Sequence, residues 1–360
     1  MKSLELCARC GRCLAVCPIY ALTERETFSP RGRVVLASKV LQGDWEGLRK
    51  EIFSLCLLCG ACEASCPNEV PILETFISVR ESLYGSLPKV LAKAFEGDLG
   101  RKSLKFSRES GLWMLLKGKI PFPLPRYPFR ESRSLPQRGE VLLFLGCGAD
   151  FLFPQATIKL VEFFEKKGIK LGLPQEQGCC GLAVASLGNL TLFKELAIRN
   201  LRAFSFTTAP VITLCASCFF TLRRLYPRLL AGTPYEEAAK ALSQRVFEAT
   251  GYLFKQERLA LPKQGVIFHL PCHLRFEDQT RWWIGLAVKT LEACCGQGGL
   301  FGLRYPGLAR KIYDQGLTRH PDLNEIDTVL TACTACYYRL SLMFRGFPSV
   351  KFPIEIIDKS

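Results

Sequence analysis

Long hydrophobic runs are absent from this sequence of 360 residues. No apolar stretch reaches the roughly eighteen residues that a membrane-spanning helix needs. The first ten residues, MKSLELCARC, also lack the apolar stretch of a secretory signal. These absences predict a cytoplasmic globular protein, which at most lies peripherally on the cytoplasmic side of a membrane.

Acidic residues are in the minority, with 33 Asp and Glu against 48 Lys and Arg and a formal net charge of +15. A basic surface of this kind suits an acidic partner protein or an anionic lipid surface. Nucleic acid is not predicted as a partner, because the basic residues are scattered and no groove-reading module accompanies them.

Nucleotide-binding motifs are also missing. The only candidate turn, LGCGAD from Leu145 to Asp150, lacks the third glycine of a dinucleotide fingerprint, and no phosphate-binding loop of the Walker type occurs. We therefore predict no bound flavin or NAD. Any redox chemistry of the chain must use another kind of cofactor.

Cysteine, by contrast, is abundant, with 18 residues. Disulfide scaffolds are usually short secreted chains, whereas this chain is long and 48% hydrophobic. The composition favours thiolates that bind metal over disulfides or core filling.

Eight of the cysteines form two copies of the motif C-x2-C-x2-C-x3-C-P. The copies consist of Cys7, Cys10, Cys13 and Cys17, and of Cys56, Cys59, Cys62 and Cys66. In such motifs three closely spaced thiolates bind one [4Fe-4S] cubane and the fourth reaches the other cubane. The predicted ligand sets are Cys7, Cys10, Cys13 and Cys66 for one cubane, and Cys56, Cys59, Cys62 and Cys17 for the other. Zinc would require two separated C-x2-C pairs for each ion.

The remaining ten cysteines fall into two sets with the pattern C…CCG…CxxC. The first set is Cys147, Cys179, Cys180, Cys215 and Cys218, and the second is Cys272, Cys294, Cys295, Cys333 and Cys336. Corresponding cysteines lie 115 to 125 residues apart, which indicates an internal duplication. No cysteine is left outside these patterns.

Short β-rich runs precede most cysteines of these two sets. These runs, with the cysteines that follow them, are VLLFLGC, VITLCASC, VIFHLPC and TVLTACTAC. Helix-like segments lie between them at 155–167, 190–204, 282–291 and 308–317. Strands that alternate with helices predict parallel sheets, whose carboxyl ends lie on one side and bind ligands. Each set of five should therefore converge at one rim. The GCCG segment should be an irregular loop, in which Gly178 and Gly181 permit the required dihedrals.

The predicted fold class is α/β, with a mostly helical ferredoxin-like dicluster domain followed by two pseudo-repeated α/β domains. The predicted boundaries are 1–100 for the dicluster domain, 101–139 for a linker, and 140–260 and 261–360 for the repeats. The linker is rich in proline, arginine and aromatics, so it is either a strap over the cores or a docking surface. A membrane-touching patch around Trp113, Leu115 and Leu116 is a third interpretation.

Several other polar side chains leave two interpretations open. His269 and His273 flank Cys272, so they either deliver protons there or hydrogen-bond the loop. His320 is the third histidine. Arg31 and Arg33 either neutralise the charge of a cluster or bind a partner.

The segments CARCGRCLAVCPIY, SPRGR and CLLCGACEASCP, followed by the CCG pairs, resemble the iron-sulfur subunit of bacterial glycolate oxidase. They are also similar to subunits of lactate utilisation and anaerobic glycerol-3-phosphate dehydrogenase systems, and to the heterodisulfide reductase subunits of methanogens. The first group implies electron transfer from a flavoprotein subunit, with other redox subunits, towards quinone or another carrier. The heterodisulfide reductases imply a noncubane [4Fe-4S] cluster at each CCG set, which itself attacks a disulfide.

We therefore predict an electron-transfer subunit of an oxidoreductase with two cubanes and up to two further clusters. A catalytic subunit of the heterodisulfide reductase type is the alternative, and an iron-sulfur scaffold or redox sensor is the third. Both CxxC pairs are intact, as disulfide reduction requires. Only 21 residues separate Cys272 from Cys294, against 31 between Cys147 and Cys179, so the second loop is short for the pattern and the geometry of a second cluster stays open. Zinc at one CCG set is a further alternative.

Overall fold

The computed structural model describes most of the chain. The described residues are 4–44, 46–84, 125, 127–257, 261–262, 264–275, 289–318, 323, 325–345 and 347–357. Trp113, Leu115, Leu116, His320 and most of the predicted linker lie outside them. The chain forms two compact units, made of Met1–Pro88, Leu182–Phe193 and Glu292–His320, and of Lys89–Gly181, Lys194–Leu291 and Pro321–Ser360. The domain boundaries given above stay predictions.

The first unit is helical where it is described. Its helices are Arg12–Ala15, Pro18–Thr23, Pro30–Leu41, Glu51–Ser54, Ala61–Ala64, Ile72–Tyr84, Leu182–Ser186, Phe301–Arg304 and Pro306–Leu317, and Leu190–Ala203 begins in it. Local signals fix several of their starts. The Ser29 hydroxyl accepts a hydrogen bond from the Gly32 amide, and Pro30 occupies the first helical position. The Cys17 sulfur likewise caps the helix Pro18–Thr23 by accepting from the Tyr20 amide.

The second unit contains two parallel four-stranded sheets. The strands are β1 (Val141–Leu143), β2 (Leu171–Gly172), β3 (Val211–Thr213), β4 (Val246–Glu248), β5 (Val266–His269), β6 (Lys289–Leu291), β7 (Thr328–Thr331) and β8 (Ser349–Lys351). Their orders are β2-β1-β3-β4 and β6-β5-β7-β8, with every pairing parallel. The same order in both sheets fits the duplication seen in the cysteine patterns. The predicted α/β class with two parallel repeats is confirmed.

Helices connect these strands. They are Phe129–Ser132, Gly146–Phe151, Pro154–Lys166, Ala216–Phe220, Tyr226–Leu229, Glu236–Gln244, Ala249–Glu257, Cys272–Arg275 and Thr334–Phe344, with a π-helical turn at Thr221–Leu225. The predicted helices at 155–167, 190–204 and 308–317 are confirmed within a residue or two. Among the described helices, none has the length and apolar character needed to span a bilayer.

The predicted helix at 282–291 is wrong over its last three residues, because Lys289–Leu291 forms β6. This short segment pairs with β5 at the edge of its sheet, with Phe268 opposite Thr290. The sequence of this segment, with the β-branched Thr290 between Lys289 and Leu291, is compatible with an edge strand and with a helix end. Pairing with β5 therefore decides its conformation. Residues 282–288 lie outside the described part of the chain.

The core of the first sheet explains why β1 and β3 consist almost entirely of apolar residues. Residues of β1 and β3 are fully buried, and Leu143 and Ile212 pack with Leu160 and Phe164 of the helix Pro154–Lys166. A parallel sheet buried on its faces needs continuous apolar runs rather than alternation. This packing holds the carboxyl ends of β1 and β3, and the cysteines that follow them, in a fixed position.

Candidate metal centres

The first cysteine motif curls around a cavity of about 410 Å³ in the first unit. The cavity is lined by four cysteines, Cys7, Cys10, Cys13 and Cys66. Cys66 comes from the second motif, so the cavity combines three thiols of one motif with the last thiol of the other. Cys10 is exposed, whereas the other three are half-buried.

A second cavity of about 350 Å³ has the reciprocal composition. Its cysteines are Cys17, Cys56, Cys59 and Cys62. The structure thus brings together the same two groups of four cysteines that the spacing predicts. That these cysteines are the ligands of a cluster stays a prediction. Among the described residues, no group of three His, Cys, Asp or Glu side chains could hold a single metal ion. Four thiols around one cavity suit a cluster of several irons.

Both motifs form the same curled backbone. The residue before the second cysteine has a positive φ in each copy, 54° at Arg9 and 53° at Leu58. The glycine after that cysteine is also left-handed, at 85° for Gly11 and 77° for Gly60. These dihedrals favour glycine and cost energy elsewhere, so the C-x2-C-G sequence encodes a loop that turns its thiols inward.

Three thiols of the two cavities, Cys13, Cys17 and Cys62, have a pKa above that of free cysteine. Burial raises the pKa of Cys13 and of Cys62, and neighbouring thiols add to the rise at both. Burial also raises the pKa of Cys17, and the Arg33 guanidinium opposes this shift. Metal ligation requires thiolates, so iron would have to displace these protons as it binds.

The first CCG set gathers at the carboxyl edge of its sheet in the second unit. Cys147 follows β1, and Cys215 and Cys218 follow β3. Thiol hydrogen bonds join Cys147 to Cys179, Cys180 to Cys218, and Cys218 to Cys215. The structure therefore brings all five predicted residues together at one rim.

Hydrogen bonding distributes protons unevenly in this set. The bond to Cys147 lowers the pKa of Cys179, but the bond to Cys180 and burial outweigh it and raise the pKa to about 12. Hydrogen bonds from Cys218 and Cys333 instead lower the pKa of Cys215 well below that of a free thiol. These hydrogen bonds favour the thiolate form of Cys215, the form that binds metal.

Buried polar side chains shape the CCG loop, and the sequence analysis missed them. The Asn200 side chain accepts from the Gly178 amide and donates to the Cys179 carbonyl and the Tyr226 hydroxyl. The Tyr226 hydroxyl donates to the Cys180 carbonyl at 3.1 Å. The prediction about loop glycines holds only at Gly181, whose φ is 89°. Gly178 lies outside the left-handed region and an added Cβ would meet only ordinary contacts, with Arg199 at 3.8 Å.

The Tyr226→Phe substitution is expected to lower the free energy of unfolding by about 1–3 kcal/mol, since it leaves a buried carbonyl and a buried amide donor unsatisfied. Tyr235→Phe is the matched control, because that hydroxyl accepts from Arg202 at the surface. We expect about 0.5 kcal/mol or less for it. Equal losses for the two variants in anaerobic denaturant unfolding would contradict this role of Tyr226.

The second CCG set is divided between the two units. Cys294 and Cys295 belong to the first unit, and Cys272, Cys333 and Cys336 to the second. The CCG turn repeats that of the first set. The Gly296 amide donates to the Cys294 sulfur at 3.4 Å, as Gly181 does to Cys179, and φ of Gly296 is 75°.

Cys294 lies in an apolar cluster with two cysteines of the second cavity. Cys17, Cys59 and Cys294 pack there against Leu57 and Phe301, all within the first unit. The backbone also approaches closely, since a Cβ added at Gly298 would lie 2.7 Å from the Leu57 carbonyl oxygen. The CCG pair of the second set and the second cavity therefore share one packed core.

Within the second unit, the two CxxC pairs meet. The Cys215 and Cys333 sulfurs lie 4.0 Å apart, and the Thr334 hydroxyl is 3.1 Å from the Cys215 sulfur. The Ala216 amide donates to the Ala332 carbonyl at 2.8 Å. Equivalent residues of the duplicated halves thus face each other.

The two described histidines form local hydrogen bonds. His269 contacts the Thr331 hydroxyl at 3.2 Å, and His273 contacts the Ser217 hydroxyl at 3.1 Å and stacks on Phe220. Ser217 also lies 3.4 Å from the Cys333 sulfur. Of the two earlier interpretations, hydrogen bonding of the cysteine loops fits these contacts.

A buried carboxyl group, Glu248, ends β4 beside Thr213 of β3, and it accepts from the Gly251 amide. Burial raises its pKa to about 7. Because the folded state keeps a proton that the unfolded state loses near pH 4.5, this group stabilises the fold below pH 4.5. The contribution fades as pH rises to about 7 and amounts to about 3 kcal/mol at most.

Glu248→Gln is expected to remove this pH dependence. The difference in free energy of unfolding between about pH 5 and about pH 8 should be smaller in the variant than in the unsubstituted protein. Denaturant titrations at the two pH values measure it. An unchanged difference would show that Glu248 is already ionised at the lower pH.

Comparisons with known protein families match the dicluster motifs and the two CCG sets to separate regions of the chain. Residues 3–70 match the 4Fe-4S dicluster domain, and residues 141–223 and 283–341 match the cysteine-rich domain CCG. The second of these matches begins after Cys272. The family comparison therefore does not support the prediction that Cys272 belongs to the second CCG set.

Three relatives are similar over nearly the whole chain. The glycolate oxidase iron-sulfur subunit of Escherichia coli is 24% identical over 99% of this chain and 94% of its own length. A fumarate reductase (CoM/CoB) subunit of Methanothermobacter marburgensis is 26% identical over 99% of this chain and 72% of its own length. A dihydromethanophenazine:CoB–CoM heterodisulfide reductase subunit of Methanosarcina acetivorans is 24% identical over 99% of this chain and 92% of its own length. The chain is therefore similar to these subunits of oxidoreductases, and it combines a match to the 4Fe-4S dicluster domain with two matches to the cysteine-rich domain CCG.

Proposed function

We propose that this chain is an electron conduit, which accepts electrons from a flavoprotein subunit and passes them towards quinone or another carrier. The observation that carries the proposal is the shared core of Cys17, Cys59 and Cys294. It supports a continuous route between the dicluster region and a CCG site. The chain itself carries no nucleotide-binding motif, so hydride chemistry belongs to a partner.

The proposed ligands of two [4Fe-4S] cubanes are the cysteines of the two cavities. The two CCG sets would hold up to two further clusters. Bound clusters would supply one-electron transfer, and the chain's own residues set their position and exposure. The lowered pKa of Cys215 and the inward-turned loops of both motifs suit that role.

Exposure suggests where electrons enter or leave. Cys10 is exposed and belongs to the first cavity, whereas Cys17 of the second is buried. A partner could therefore exchange electrons most closely with the first cavity. The net charge of +15 would favour an acidic partner surface or anionic lipid headgroups. Metal-binding thiolates are typical of a reducing compartment, which supports a cytoplasmic location.

A second candidate function, reduction of a disulfide, is favoured by the meeting of Cys215 and Cys333 at 4.0 Å. Both CxxC pairs are intact, so both halves could contribute to one site. The reaction would consume two electrons and two protons and convert one disulfide into two thiols.

One experiment separates the candidates. The anaerobically purified chain is reduced with an artificial donor and offered either a soluble quinone analogue or a disulfide. The conduit predicts rapid oxidation by the quinone analogue and little thiol formation. Faster production of thiols would favour the second function. A chain that loses its clusters but still binds a flavoprotein with full affinity would indicate a scaffold.

A further inference from the structure

The second cavity contains a buried cation as well as its four cysteines. Arg33 lines this cavity and is 1% exposed. Its Nε donates to the Ile52 carbonyl at 2.6 Å, but its Nη2 is buried without a hydrogen-bond partner among the described residues. Buried guanidinium groups rarely remain incompletely bonded, so this atom points to a missing acceptor.

A second buried cation, on the helix Ile72–Tyr84, binds the same stretch of backbone as Arg33. Arg80 is 2% exposed and donates to the carbonyls of Phe53, Cys56 and Ser186. Cys56 is one of the cysteines of the second cavity. The two guanidiniums therefore hold the backbone that leads into this cavity, from Ile52 to Cys56.

Among the residues that the structure describes, no carboxylate neutralises either cation. Over the described ranges, Arg33 and Arg80 form hydrogen bonds to carbonyl groups and no ion pair. Burying an unpaired charge is costly, and two such charges side by side cost more. An anionic group bound to the four cysteines of this cavity would supply the compensation. A [4Fe-4S] cluster on four thiolates is such a group.

The first cavity is different. Its arginines lie near solvent, with Arg9 and Arg12 exposed. Arg31 is paired with Glu26, at 2.6 Å between Nε and Oε1. Paired or solvent-exposed charges act weakly on a neighbouring site because water and salt screen them.

We propose that Arg33 and Arg80 are the counter-charges of the cluster held by Cys17, Cys56, Cys59 and Cys62, and that they selectively raise its reduction potential. This inference rests on the ligand sets of the proposed function. One-electron reduction adds a negative charge to the cluster and changes no covalent bond. Buried positive charges favour the reduced form more than the oxidised form. We call this cluster the inner cluster and the one proposed at the first cavity the outer cluster. The inner cluster would then retain electrons that pass between the first cavity and the pair Cys294 and Cys295.

The test is a redox titration of the anaerobically purified full chain, followed by electron paramagnetic resonance. In Arg33→Gln, we expect the ratio of reduced to oxidised inner cluster at a fixed potential to fall at least tenfold. This corresponds to about 59 mV for a one-electron couple. Arg80→Gln should lower the same midpoint. Arg33→Lys keeps the charge and should restore most of the wild-type value.

Arg31→Gln is the matched control, two residues away in the same helix, and should leave the inner midpoint almost unchanged. An unchanged midpoint in Arg33→Gln, or an equal fall in Arg33→Lys and Arg33→Gln, would overturn the role of charge. Iron and sulfide counts accompany each titration. A wild-type chain without clusters would refute the proposed ligand sets, whereas intact clusters with insensitive potentials would refute only this inference.

A measurement on the unsubstituted protein keeps the proposal testable if the variants do not fold. Salt screens exposed charges strongly and buried charges little. Raising the ionic strength should therefore shift the midpoint of the outer cluster more than that of the inner one. Equal shifts would overturn the inference.

Discussion

Cys17→Ser is expected to remove the cluster of the second motif and to spare that of its own motif. Cys17 lines the cavity of Cys56, Cys59 and Cys62, not that of its sequence neighbours. The variant should lose about four irons per chain. Alkylation under anaerobic conditions, followed by mass spectrometry, should then modify Cys56, Cys59 and Cys62, while Cys7, Cys10 and Cys13 stay protected.

The reciprocal variant, Cys66→Ser, provides the control. It should expose the thiols of the first motif and protect those of the second, because Cys66 lines the first cavity. If Cys17→Ser instead exposed Cys7, Cys10 and Cys13, each motif would bind its own cluster and the crossed arrangement would be wrong.

Asp150→Ala is expected to cause the largest loss of stability. Asp150 pairs with Arg130 at 3.4 Å, and both side chains are almost fully buried. Removing one partner of such a pair leaves an uncompensated charge and costs about 3–5 kcal/mol. Arg130 also donates to the carbonyls of Gln175 and Gln177, just before Cys179. The variant should therefore bind less iron at the first CCG set as well.

Glu165→Ala is the matched control for this prediction. Glu165 pairs with Arg133 at the surface, where ion pairs contribute about 1 kcal/mol or less. Anaerobic denaturant unfolding compares the two variants. A similar small loss in both would show that Arg130 and Asp150 are not energetically coupled to the fold.

The cysteine spacing was sufficient to predict which thiols share a cavity. A C-x2-C-G loop can curl in few ways, and Gly11 and Gly60 mark the left-handed positions. Strands β1, β3, β5 and β7 were equally predictable, because buried parallel strands are continuous apolar runs. For β6 the local sequence was ambiguous, and pairing with β5 determined its conformation.

The charged and polar side chains that contact the sites were predictable only in part, since the SPRGR segment pointed to Arg31 and Arg33 together. Arginine is rarely fully buried, so nothing local distinguished Arg33, which is buried, from Arg31, which is paired near the surface. Asn200 and Tyr226 contact the CCG loop from positions more than twenty residues away in the sequence. Such contacts depend on how helices return to the sheet, and no residue pattern signals them.

We propose that all eighteen cysteines are ligands of iron-sulfur clusters. Iron and acid-labile sulfide, counted per chain after strictly anaerobic purification and reconstitution, test it most directly. We expect about sixteen of each per chain with all four sites filled, and about eight with only the two cubanes. A folded chain that stays colourless and free of iron under these conditions would contradict it.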